Sequence, residues 1–160
     1  MPLFDQIKVK RRYTRSVNLE RDLEVADSVN GYIITPKTLK LIDRFIESLT
    51  TPNATRAWTV TGVYGTGKSA FAHFLASLCS AKNDEIKKNA VKILNASRSN
   101  SSSKLTRKLS SKGLLKAVVT AQREPIAHSL IRGLKYGADR YWANARGQKG
   151  PIRSRLNELY

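Results

Sequence analysis

Eight consecutive residues, Gly62-Val63-Tyr64-Gly65-Thr66-Gly67-Lys68-Ser69, set glycines ahead of an amine and a hydroxyl in the order G-x-x-x-x-G-K-[ST]. A loop that wraps an anion must turn successive backbone N–H groups inward and let the chain approach its ligand closely. Glycine tolerates both demands. An amine placed just after the loop can reach the outer phosphates of a polyphosphate, and the adjacent hydroxyl can ligate Mg²⁺. The residues that could do this work are Gly62, Val63, Tyr64, Gly65, Thr66, Gly67, Lys68, Ser69 and Ala70, with Ser69 as the metal ligand.

Such a loop needs elements to hold it. The stretch "AWTVT" (57–61) reads as a strand, and its lack of strict alternation suits a strand buried on both faces. After the glycines, Phe71, Phe74, Leu75 and Leu78 fall on one face of a helix expected over 68–80. That helix would add its positive dipole end and unpaired N–H groups to the same site. Upstream, Thr35 and Pro36 announce a helix whose face carries Leu39, Ile42, Phe45, Ile46 and Leu49. Residues 32–35 read as a short extended piece, and residues 11–19 as a short strand.

Downstream, residues 82–95 form a helix capped near Asn83 or Asp84, with Ile86, Ala90, Ile93 and Leu94 inward. Residues 96–113 are a Ser- and Lys/Arg-rich loop with at most a helical turn or two. "LLKAVVT" (114–120) returns to strand. Residues 124–145 are helical, with Ile126, Leu130, Leu134 and Tyr141 at helical spacing. The tail breaks at Gly150-Pro151 and can restart a helix. This order predicts an α/β fold, a three-layer parallel sheet with helices on both faces. Residues 1–35 are a lead-in segment, 36–145 a partial nucleotide-binding domain and 146–160 a basic tail.

"GVYGTGKSAFA" is a Walker A sequence, and over residues 57–80 the chain resembles the P-loop NTPases. The resemblance implies a three-layer P-loop fold that binds Mg-ATP. The guanine-reading segment [NT]-K-x-D of related GTPases is absent, which favours ATP. The helix and loop inserted after the first helix are compatible with AAA-like or STAND-like ATPases. In such families the base often meets the segment before the P-loop strand. Here that segment is "NGYIITPK" (30–37), with Tyr32 or Ile33 against the adenine or, more simply, in the core.

Hydrolysis in these ATPases needs a second strand ending in an acid, the Walker B element. "LLKAVVT" ends instead in Thr120-Ala121-Gln122-Arg123. Asp84-Glu85 follow no strand, Asp139 falls within a helix, and "LID" (41–43) precedes the P-loop. The expected sheet therefore lacks its Walker B strand, and no catalytic residue is assigned. The simplest expectation is that the chain is the N-terminal part of a larger ATPase or a truncated gene product. "SVNLERDL", "GYIITPK", "GVYGTGKSAFAHFLASL" and "VVTAQREP" are similar to the start of large ATP-binding proteins of bacterial genome-defence clusters. Other subunits of a larger assembly, or an oligomer, are then natural partners.

The net charge is +17, with 29 Lys and Arg against 12 Asp and Glu. Residues 82–123 carry eleven basic and two acidic side chains, whereas residues 1–50 carry nine and seven. Such a surplus attracts polyanions, or else balances acidic surface elsewhere in a larger protein. The alternative function is a basic nucleic-acid-binding module without nucleotide hydrolysis. Lys104, Arg107, Lys108, Lys112 and Lys116 could form its phosphate-backbone patch. Arg132, Lys135, Tyr136, Arg140, Tyr141 and Trp142 mix cations with aromatics, which suits base stacking or an ordinary amphipathic helix. Arg123 could serve as an arginine finger in an oligomer. His73 and His128 share no metal-ligand spacing and read as helical packing residues. Cys79 is the single cysteine and reads as a small core residue of a reducing compartment. No apolar run approaches the ~20 residues needed to cross a bilayer. The N-terminus has no secretory h-region, so the expected location is the cytoplasm.

Overall fold

A computed structural model describes residues 16–49, 51–97, 101–143 and 151–159. Seven α-helices follow in chain order among these residues. They are α1 (Leu19–Asp22), α2 (Pro36–Ser48), α3 (Lys68–Leu78), α4 (Glu85–Ala96), α5 (Ser101–Lys108), α6 (Ile126–Tyr141) and α7 (Pro151–Leu159), with a 3-10 turn at Ala26–Val29. Of the short strand expected over 11–19, the first five residues lie outside the described residues. Leu19, its last residue, opens α1.

Local chemistry explains the helix starts. Thr35 and Thr38 form a reciprocal cap at α2: the Thr38 N–H donates to Thr35 Oγ1 at 3.2 Å, and the Thr35 N–H to Thr38 Oγ1 at 2.9 Å. Pro36, with its fixed φ and no N–H, sits in the first turn. Asp84 stands at the N-cap of α4 but turns its carboxylate back onto the Ala81 N–H at 3.2 Å. α7 begins at Pro151, at the restart that the Gly150-Pro151 break suggests.

The core lies where α1, the 3-10 turn, α2, α3, α4 and α5 meet. Ile42 and Ile46 from α2, Phe71, Phe74 and Leu78 from α3, and Ile86, Ala90 and Leu94 from α4 are buried together with Leu23, Val29 and Leu105. Phe74, Ile42, Leu78 and Leu94 are fully enclosed, each worth about 1.5–3 kcal/mol of apolar burial. Short polar links fix the helices around it. Ser101 Oγ donates to Asp43 Oδ1 at 2.5 Å, joining α5 to α2, and Ser102 Oγ donates to Asn95 Oδ1 of α4.

The parallel sheet expected from 57–61 and 114–120 is not formed. Both stretches carry neither helix nor ladder, and the described residues contain helices and no strand. The three-layer α/β expectation is therefore corrected to an all-helical fold with irregular connections. The physical reason is that β-branched residues favour an extended chain but do not supply a neighbour, and a strand exists only through its ladder. Residues 57–61 are exposed rather than buried on both faces, with Trp58 41% and Val60 48% accessible. Side chains tether this stretch instead: Arg44 lies 5.0 Å over the Trp58 ring, and Arg56 Nε donates to the Ser48 carbonyl at 3.3 Å.

The second stretch is held by α6. Gly133 and Gly137 are buried on the face of α6 that meets residues 115–119. A Cβ on Gly137 would come within 2.6 Å of the Lys116 carbonyl oxygen, and one on Gly133 within 2.2 Å of Val119 Cγ2. This approach turns the large apolar residues of α6 outward: Ile126 is 77%, Leu130 54% and Leu134 42% exposed. Their helical spacing is real, but the small residues face inward.

Candidate functional site

The glycine loop forms a tight turn at the entry to α3. Gly65 and Gly67 adopt φ of 81° and 82°, the left-handed region that side chains with a Cβ rarely enter. Thr66 Oγ1 donates back to the Val63 carbonyl at 2.9 Å and closes the turn. The first helical bond of α3 runs from the Phe71 N–H to the Gly67 carbonyl at 2.8 Å. Gly67 offers no side-chain cap.

This geometry leaves a run of donors. Among the described residues, the backbone N–H groups of 63–65 and 67–70 donate to no protein carbonyl or side chain, while that of Thr66 turns toward the Val63 carbonyl. All nine candidate residues are brought into this one loop and the first turn of α3. Lys68 folds its ammonium across the loop, with Nζ donating to the Gly62 carbonyl at 2.9 Å and the Val63 carbonyl at 2.8 Å. Ser69 is exposed beside it.

The loop forms one wall of a cleft of about 840 Å³, and the other wall is the segment from Ser28 to Ile33. No carboxylate is among the described residues lining it. An anion entering this cleft therefore meets amides, an ammonium and hydroxyls, with no opposing charge among the described residues of the walls. Tyr32 stacks on Phe74 with ring centroids 4.5 Å apart and planes at 17°, so its ring belongs to the core side of the cleft wall. Ile33 is 79% exposed and lines the cleft.

Two contacts that the sequence did not signal tie α3 and α4 to the segment that leads into the opposite wall. His73, one turn beyond Ser69, is 3% exposed, and its Nε2 lies 3.1 Å from Ser28 Oγ. Ser28 donates its hydroxyl proton to the Val25 carbonyl at 2.6 Å, so His73 Nε2–H is the donor of the pair. Asn89 of α4 donates from Nδ2 to the Ala26 carbonyl at 3.0 Å. α3 and α4 thus both clasp the 3-10 turn that leads into the opposite wall. Such pairs join residues 45 and 63 positions apart, and no local pattern announces them.

The other candidate sets are dispersed. Lys116 points inward, its Nζ 2.5 Å from Ser80 Oγ, and burial lowers its pKa. It is thereby removed from the expected patch with Lys104, Arg107, Lys108 and Lys112. Arg132 pairs with Glu124 at 2.6 Å and Arg140 with Glu24 at 2.5 Å. Tyr141 and Trp142 meet edge to face at 5.4 Å. Arg123 and His128 are exposed. Among the described residues, no group of His, Cys, Asp and Glu side chains is placed to hold a metal ion, and no helix is long and apolar enough to cross a membrane. Comparison with known proteins finds no matching family model, no matching curated protein and no matching solved structure.

Proposed function

We propose that the loop formed by residues 62–70 binds the polyphosphate of ATP. The observation that carries this reading is that, among the described residues, the N–H groups of 63–65 and 67–70 have no protein acceptor and the wall of the adjoining cleft holds no carboxylate. Anions gain from such an arrangement through charge-assisted hydrogen bonds and the helix dipole. Lys68 would exchange its two carbonyl acceptors for phosphate oxygens. Ser69 would hold Mg²⁺, which offsets the charge of the triphosphate. The adenine would lie toward Ile33, on the wall clasped by His73 and Asn89.

The test is the affinity of the purified chain for Mg-ATP and Mg-GTP by calorimetry, repeated with Lys68→Ala. Mg-ATP is expected to bind more tightly than Mg-GTP. The variant is expected to lose at least tenfold in affinity, about 1.4 kcal/mol or more, with its circular dichroism unchanged. Equal binding by the variant, or none by the wild type, overturns the reading. Phosphate release is expected to be slow or absent, since among the described residues no carboxylate lines the cleft to orient a water.

A further inference from the structure

Away from the cleft, α4 and α5 carry two stripes of cations. On α4, Lys88 and Lys92 are exposed four residues apart, on one side of the helix. On α5, Lys104, Arg107 and Lys108 are exposed at the same kind of spacing, and Leu105 is buried at 1%. The two helices pack together. Between them and the turn that follows α5 lies a groove of about 320 Å³, lined by Lys82, Lys87, Lys88, Ser110 and Ser111 with apolar wall from Val91 and Leu109. The Lys82 N–H donates to the Ser111 carbonyl at 2.8 Å, which fixes the two rims of the groove together.

The charges here are largely uncompensated. Lys88 pairs with Glu85 at 2.5 Å. Among the described residues, no carboxylate pairs with Lys82, Lys92, Lys104, Lys108 or Lys112. Lys87 also lines the groove but is only 5% exposed, and its ammonium donates inward to the Ser80 carbonyl at 3.0 Å. Globular proteins normally intersperse charges of both signs, because like charges on one face repel.

We infer that this α4–α5 face is a docking surface for the phosphodiester backbone of a nucleic acid, with one phosphate seated in the groove among Lys82, Lys87, Lys88, Ser110 and Ser111. A repeating line of cations with hydroxyls between them matches a repeating line of phosphates, and contacts of this kind position a backbone without reading sequence. No large apolar side chain on these helices is exposed for insertion into a bilayer, which favours nucleic acid over a membrane surface. The inference is independent of the nucleotide reading, since none of these residues lines the ATP cleft.

The test is fluorescence anisotropy with a labelled DNA duplex of about 20 base pairs, titrated at several salt concentrations. Wild type is expected to bind with a log K that falls linearly with log salt. Changing Lys82, Lys92 and Lys108 to Glu together is expected to weaken binding at least tenfold at ~50 mM salt. The same change is expected to shrink the slope by about 2–3, near 0.9 for each phosphate left without its cation. A control changing Lys37, Lys40 and Arg123 to Glu removes the same charge elsewhere and is expected to cost less than about threefold, with the slope kept. Should the Glu triple variant not fold, Gln at the same three positions gives the same comparison. Equal losses in face and control variants, an unchanged slope, or no duplex binding by wild type overturns the inference. So does binding to anionic phospholipid vesicles, or to inorganic phosphate, without binding to the duplex.

Discussion

At the scale of single residues, burial separates side chains that look alike in sequence. Lys116 and Lys104 are both lysines in a basic stretch, yet one is turned onto Ser80 and the other faces solvent. Cys79 shares that inward corner with Lys87 and Lys116. It is 4% exposed, and burial pushes its thiol up to about 11, although the two nearby amines pull the other way. Only a thiolate attacks disulfide reagents. At pH 8 a thiol with that pKa is ionised in about one molecule in a thousand. The native protein is therefore expected to be silent toward an aromatic disulfide reagent at pH 8 and to react fully once denatured. Stoichiometric labelling within seconds of mixing the folded protein would contradict the burial assigned to this side chain.

At the scale of elements, the tightest fit is that of α6 against residues 115–119. Alanine favours a helix over glycine by about 1 kcal/mol, so Gly137→Ala would stabilise an exposed helix. Here its Cβ would press on the backbone oxygen of Lys116, which has no rotamer to yield with. The substitution is expected to lower stability by about 1–3 kcal/mol in urea denaturation, and an unchanged or raised midpoint would show that the two segments are not in contact. The same element shows what a sequence can and cannot disclose. α2, α3 and α4 were legible because their caps and apolar faces are local: Thr35 and Pro36 for the start of α2, Ile42 and Ile46 for its inner face. The glycine loop was legible for the same reason, as its turn and the opening of α3 depend on neighbours in the chain. The orientation of α6 was not, because periodicity weighs Leu130 and Leu134 above Gly133 and Gly137, and steric fit against another segment decides otherwise. The expected strands failed likewise: "AWTVT" carries the propensity, but the partner that would make it a strand is not written in it. The His73–Ser28 clasp of the cleft also depends on a distant residue and left no trace.

At the scale of the whole molecule, α1 is bonded to residues a hundred and more positions away in sequence. Glu20 of α1 accepts a hydrogen bond from the Thr120 N–H at 2.8 Å, across 100 positions of sequence. Arg140 of α6 reinforces the junction, donating to the Glu20 carbonyl at 3.3 Å and pairing with Glu24. That backbone hydrogen bond is the main cause holding the Glu20 carboxyl below its ordinary value of 4.5, with Arg132 and Arg140 assisting. A carboxyl whose folded pKa is depressed binds fewer protons when folded than when unfolded. Its contribution to stability is thus fully present above 4.5 and is lost as the pH falls through the lower folded value. Solvent reaches this carboxylate, so the contribution stays within about 1 kcal/mol. Glu20→Gln is therefore expected to be slightly less stable than wild type at neutral pH, with the difference vanishing in acid as wild type becomes protonated. Urea midpoints of both proteins across that range measure it directly. Parallel profiles would mean that the Glu20 carboxylate gains nothing on folding from the Thr120 N–H, and that the bonds of Arg140 hold α1 to α6 without its help.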